Sequence, residues 1–271
     1  MKFISFTNNK TYARALDSNS YVDSIFLDLE ILGKFKRQGH TDSLISKHTL
    51  EDISIIRKVI KKNKLGVRTN PLNNNSSQEI NNALKRGADV LMLPMFHKVY
   101  EVERFLELVS NRCDVDLLFE TTESLLNIEK YPLSKIRKVH IGINDLSLEM
   151  KLPHLFYCFF EEKLYNSISI LNKYNIDFGI GGVGHINAEP IKPNLILNAN
   201  NILKSKRLIL SRNFYKLIDT DSQEKANYGV NYNIENLINL NENLLLLSEE
   251  NKRKLFYDLK NKLDEIFKKN I

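Results

Sequence analysis

At 271 residues, with 42% apolar and 27% charged side chains, the chain has the make-up of a globular protein able to bury one large core. Its two cysteines, Cys113 and Cys158, have no CxxC spacing, which excludes a disulfide scaffold and fits a reducing compartment, so a cytoplasmic location is expected. The net charge of +6 lies on scattered lysines, with no aromatic–basic repeat, zinc pattern or recognition helix, and no apolar run reaches the roughly 18 residues of a membrane span; neither nucleic acid nor membrane is an expected partner.

Short β-rich runs alternate with helical patterns, the sequence sign of a parallel α/β fold. The first two runs are 2–6 and 24–30, and the opening MKFISFTNNK lacks the length and cleavage pattern of a signal peptide. Thr49 then begins a T-x-x-D cap, followed by Leu50, Ile53, Ile56 and Ile60 at helical spacing. After the run 65–70, Ser76 and Glu79 form an S-x-x-E box, Ile80, Ala83 and Leu84 an apolar stripe, and Gly87 a helix stop. The run 89–93 precedes a stripe of Val99, Val102, Leu106 and Val109. Runs 114–120 and 138–143 follow, then a long apolar-aromatic stretch over 147–160, then runs 177–181 and 207–210.

Eight strands alternating with helices predict a (β/α)8 TIM-type barrel over residues 1–218, with a C-terminal helical extension over 219–271. In the extension, Leu255, Leu259, Leu263 and Ile266 line one helix face. That stripe must be buried on its own barrel or on a second subunit; an interface in a homo-oligomer is the expectation.

Parallel barrels carry their sites at the C-terminal ends of the strands. Here SIFLDLE ends with Asp28 and Glu30 on one face, KLGVRTNPL carries Arg68, DLLFE ends on Glu120, and HIGIND runs into Asp145. Such charges tolerate burial only if they compensate one another. A hard divalent cation suits Glu120 and Asp145, because two carboxylates completed by water and substrate oxygens make an open octahedral Mg²⁺ or Mn²⁺ site. A 2-oxo acid chelated there has its carbonyl polarised and its enolate stabilised, with the planar fork of Arg68 on the carboxylate or enolate oxygen.

On these residues the sequence resembles the HpcH/HpaI aldolase and citrate-lyase beta-subunit family. FLDLE, LGVRTNP, GADVLMLPMF, LLFETTESLLN and HIGINDLS occur in the family's order between about residues 24 and 147, and a weaker likeness runs from FGIGGVGHI to ILSRNF. The resemblance implies a metal-dependent barrel that makes or breaks carbon–carbon bonds with a pyruvate-like enolate, or acts on acyl thioesters. It places the metal ligands on Glu120 and Asp145 and the substrate arginine on Arg68, while Gly87 and Pro94 match positions that shape the fourth strand and its loop. The chain also departs from the family. Ile31 stands where the aldolase branch has a histidine after the glutamate, Leu118 where it has a glutamine, and ILGKFKRQGHTDSLISKH matches neither branch. The whole resembles an aldolase-like subgroup of bacterial surface-polysaccharide gene clusters.

With Ile31 at the histidine position, His40 in RQGH is the expected proton carrier, and Glu30 is expected to orient a water. Gly181 and Gly182, in a glycine-rich turn, together with Ser211 and Arg212 after the last strand, are candidates for binding substrate anions. The expected function is a divalent-metal-dependent lyase acting on a 2-oxo acid and an aldehyde. The alternatives are a citrate-lyase-like thioester lyase and a metal-binding barrel without catalytic activity.

Overall fold

Eight parallel strands pair in chain order and close when β8 pairs back with β1: β1 (Lys2–Phe6), β2 (Val22–Asp28), β3 (Lys64–Arg68), β4 (Val90–Leu93), β5 (Asp114–Phe119), β6 (Lys138–Ile141), β7 (Phe178–Val183) and β8 (Arg207–Leu210). This computed structural model describes residues 1–34, 37 and 46–268. The barrel helices are α1 (Lys10–Asp17), α2 (Leu50–Arg57), α3 (Ser76–Lys85), α4 (Val99–Val109), α5 (Thr122–Leu126), α6 (Ile143–Glu149), α7 (Glu162–Lys173), α8 (Pro193–Ile202) and the short α9 (Arg212–Tyr215). Two further helices, α10 (Gln223–Leu245) and α11 (Glu249–Phe267), follow the last strand. Among the described residues no helix is long and apolar enough to cross a membrane.

Strand alternation divides the side chains between two cores. Ile25 and Leu27 on β2, with Leu91 and Leu93 on β4, pack outward against the helices. Between them, Phe26, Val90 and Met92 point into the barrel and join Ile4 and Leu118 in a separate apolar cluster. Gly66 makes room for the inner core: a Cβ there would lie 2.3 Å from the Phe26 ring.

Beneath this plug, at the N-terminal ends of the strands, lies an ion cluster that sequence reading did not single out. Asp116 is fully buried and accepts from Arg137 at 2.8 and 2.7 Å and from Arg207 at 2.9 Å. Asp23 joins through Arg137 at 3.2 Å and Lys138 at 2.6 Å. Charge at this end of a barrel belongs to stability, because the chemistry is built at the other end.

His140 sits in the same interior. Its Nε2 lies 3.0 Å from the Gly181 carbonyl, while Nδ1 is buried without a partner. Burial, with the Arg207 charge adding to it, pushes the imidazole down to about 3 from 6.5, so it is neutral in the folded state. Only the unfolded chain takes up that proton near pH 6.5; His140 therefore costs stability progressively as pH falls from there toward 3, and nothing above. His140→Gln keeps a donor for Gly181 and loses the titration. Between pH 7 and 4.5 the wild type should lose about 2 kcal/mol more than this variant, as read from urea midpoints.

Local features depart from expectation in two places. Ser76 and Glu79 form no capping box: Asn75 precedes the helix, Ser76 accepts from the Asn73 amide, and Glu79 accepts from the Asn70 side chain. Gly181 and Gly182 lie inside β7 and not in a turn, since a Cβ on Gly181 would meet Ile143 at 2.6 Å and one on Gly182 the Ile209 carbonyl at 2.7 Å. The C-terminal stripe is covered by its own chain: Leu259 and Leu263 are fully buried, with α11 packed on α8 and on the 3₁₀ segment Leu155–Phe160. Leu255 and Ile266 of the same stripe are only partly buried. Other expectations are met in detail. Thr49 and Asp52 form the predicted reciprocal cap, and Gly87 follows α3 with φ +97°, where a left-handed residue closes the last turn.

Candidate active site

Four of the expected residues meet at the C-terminal mouth of the barrel. Glu30 lies two residues beyond β2, Arg68 ends β3, Glu120 directly follows β5, and Asp145 lies in the first turn of α6. Asp145 therefore sits past the strand end, because β6 stops at Ile141 and Gly142 caps the helix. The residue between that strand and helix must be small. A Cβ at Gly142 would lie 2.8 Å from Glu120 Oε2.

Arg68 is fixed by a bidentate pair in which Nε donates to Asp28 Oδ1 at 2.9 Å and Nη2 to Oδ2 at 2.8 Å. Its Nε also lies 3.4 Å from Glu30, and Phe6 stacks beneath the guanidinium at 5.1 Å. Burial works against the arginine charge, but Asp28, and then Glu30 and Glu120, hold it above the usual arginine range. Asp28 responds in kind. Burial would raise its carboxyl, yet Arg68 and Lys34 pull it well below the usual carboxylate range.

Glu120 is the opposite case. Burial raises its carboxyl well above normal, the charges of Glu30 and Asp145 raise it further, and Arg68 and Arg37 only partly offset them. It accepts one hydrogen bond from the Met95 amide, at 3.2 Å. Met95 adopts the left-handed region at φ +50°, uncommon for a non-glycine residue. A buried carboxylate pushed this way by two others is the electrostatic setting that a divalent cation would relieve. Among the described residues no three His, Cys, Asp or Glu side chains group closely enough to hold an ion by themselves. The carboxylates that such an ion would meet here are Glu120 and Asp145, the rest of an octahedron being left to water and substrate. On donor chemistry and on the state of Glu120, these residues fit Mg²⁺ or Mn²⁺.

Sequence reading missed two cations here. Lys34, almost fully buried, donates to Asp28 at 2.6 Å and lies 3.4 Å from Glu30. Arg37 reaches Glu30 and, through Nε at 3.3 Å, Asp145. Glu30 consequently has three cationic neighbours. His48 was also passed over. Its Nδ1 accepts from the Asp28 amide at 2.9 Å, and burial lowers its pKa below 6.5. The charges of Asp28, Lys34 and Arg68 all reach it, which places a neutral imidazole at the barrel mouth. Asn70 fastens the start of the loop after β2, its Oδ1 accepting from the amides of Ile31 and Leu32 at 2.8 and 3.0 Å.

The remaining candidates divide. His40 lies outside the described residues. Ile31, at the position where the aldolase branch has histidine, is 61% exposed, whereas Leu118 is buried inside the barrel. The Gly181 backbone carbonyl accepts from His140, and neither Gly181, against Ile143, nor Gly182, against Ile209, has room for a Cβ. Ser211 begins α9, and the Arg212 guanidinium lies within electrostatic reach of Asp28 and Arg68. Burial depresses the Arg212 pKa, with Asp28 opposing and Arg68 reinforcing that effect.

The sequence matches no family model and no curated protein. Solved structures do match. An HpcH/HpaI aldolase from Desulfitobacterium hafniense DCB-2 shares 12% identity at a TM-score of 0.57, over 78% of this chain and 85% of that one. An HpcH/HpaI aldolase/citrate lyase family protein from Burkholderia cenocepacia J2315 gives 12% and 0.60, over 78% and 87%. RipC from Yersinia pestis gives 12% and 0.55, over 93% and 97%. The likeness is one of fold: this chain has the barrel of HpcH/HpaI aldolase and citrate lyase proteins.

Proposed function

We propose that this protein belongs to the HpcH/HpaI aldolase and citrate-lyase group and is a divalent-metal-dependent carbon–carbon lyase of the 2-oxo-acid aldolase type, serving surface-polysaccharide metabolism. The observation that carries this reading is the buried Glu120, its carboxyl raised by burial and by neighbouring carboxylates, at the barrel mouth beside Asp145 and an arginine fork. The named neighbours support the reaction class.

Glu120 and Asp145 would hold the ion, which when bound polarises the 2-oxo group and stabilises the enolate charge. Arg68 keeps Nε and Nη2 on Asp28 and presents Nη1 to the substrate carboxylate or enolate oxygen. Asp28 and Glu30 lock the plane of that guanidinium, and Lys34 balances their charge. Arg212, with Ser211 beside it, serves the far, anionic end of the substrate; Gly181 and Gly182 shape the strand beneath. In the cleavage direction the bond between C3 and C4 breaks, its electron pair passes into the enolate, and the C4 hydroxyl gives up its proton as the aldehyde forms. His40 is assigned as that proton carrier, with His48 the imidazole that the described residues bring to the mouth.

The test is a screen of 2-oxo acids with aldehydes, with and without Mg²⁺ or Mn²⁺, joined to thermal unfolding. Either ion at 100 times its Kd should stabilise the protein by about 2.7 kcal/mol. The double variant Glu120→Ala, Asp145→Ala should lose both that stabilisation and turnover. An ion-induced shift that survives in the double variant removes the metal site from these residues.

A further inference from the structure

Arg37 stands where three carboxylates converge. Its Nη2 donates to Glu30 Oε1 in a very short contact, its Nε donates to Asp145 Oδ1 at 3.3 Å, and its charge reaches Glu120. The chain is shaped to bring it there. Gly33 turns through the left-handed region at φ +71°, and a Cβ on it would lie 2.9 Å from Arg37 Nη1. Asn70 fixes the two residues before that turn. A guanidinium hydrogen-bonded to Asp145 puts a positive charge against a carboxylate that the proposed function gives to a divalent ion. Two cations on one carboxylate edge, in a buried site of low effective dielectric, repel strongly. The two occupancies are therefore alternatives.

We propose that Arg37 is the resident cation of this carboxylate cluster, and that a divalent ion reaches Asp145 only by displacing it. This rests on the reading of Glu120 and Asp145 as the metal ligands. Two consequences follow. The metal-free protein keeps Glu30 and Asp145 compensated, which avoids the penalty of unpaired buried charge. The ion's apparent affinity is lowered by the fraction of molecules in which Arg37 is engaged, a reduction that a variant without the guanidinium escapes.

The experiment measures Mn²⁺ affinity by calorimetry in the wild type and in Arg37→Gln. The variant should bind at least about tenfold more tightly. A second readout does not depend on Arg37→Gln. In the wild type the hydrogen-bonded Arg37 Nε–H resonance, assigned by its loss in Arg37→Lys, should shift or vanish as Mg²⁺ saturates. Wild-type Mn²⁺ binding with equal or weaker affinity in Arg37→Gln overturns displacement while leaving the metal reading intact. So does an Nε–H resonance that Mg²⁺ leaves unchanged. Binding of Mn²⁺ by neither protein overturns the metal reading, and displacement with it.

Discussion

Arg68→Lys is expected to lower turnover of a 2-oxo acid at least about a hundredfold while the protein stays folded. Lysine keeps the charge but offers one nitrogen where arginine offers three. Arg68 spends Nε and Nη2 on Asp28, which leaves Nη1 for the proposed substrate. An ammonium must choose between the two partners, and a carboxylate as strongly favoured in its ionised form as Asp28 will keep it. Steady-state kinetics give the answer, with circular dichroism to show that the fold is retained. Oxalate affinity should fall alongside turnover; wild-type affinity in the variant would place Arg68 outside the substrate site.

The second large effect lies at the opposite end of the barrel and concerns stability. Asp116→Asn leaves the buried Arg207 and the largely buried Arg137 with only the partly exposed Asp23, at 3.4 and 3.2 Å, in place of their fully buried carboxylate partner. Removing one partner of a buried ion pair costs about 3–5 kcal/mol, most of it the penalty of the stranded charge. Urea unfolding should show a markedly lower midpoint with an unchanged slope. Glu129→Gln provides the contrast, because its pair with Lys173 is exposed and should contribute under about 1 kcal/mol. Similar losses from both substitutions would mean that the barrel floor is not held by this cluster.

Sequence patterns exposed the barrel because its strands are short, apolar and evenly punctuated. The runs at 2–6 and 207–210 coincide with β1 and β8, and the other six overlap their strands with ends displaced by one or two residues. Glu120 and Arg68 were legible for the same reason: a charge that ends an apolar run in a parallel barrel points at the mouth. Lys34, Arg37 and His48 were not, because a loop residue's destination depends on turns such as Gly33 and on distant anchors such as Asn70. Met95 contributes only its amide, which no side-chain pattern announces. Asp116 and Arg207 give no such signal; their burial becomes evident only when the barrel closes and brings β5 and β8 across from each other. The helix over 249–267 was legible as amphipathic, but amphipathicity says that a face is covered and not by what.

The seam at which β1 meets β8 has a further consequence, in the order of synthesis. β1 and α1 are made some two hundred residues before their neighbours β8 and α10. Until then β1 presents an unpaired edge and α1 an uncovered apolar face, the surfaces most open to wrong pairing in a nascent chain. Once made, α10 lies across α1 and α8 and buries Ala226, Val230 and Ile234, while Asn231 accepts from Asn19 at 2.9 Å. The segment after residue 218 is thus the closing clasp of the barrel. A ribosome that stopped there would release a barrel whose first helix still lacked its cover.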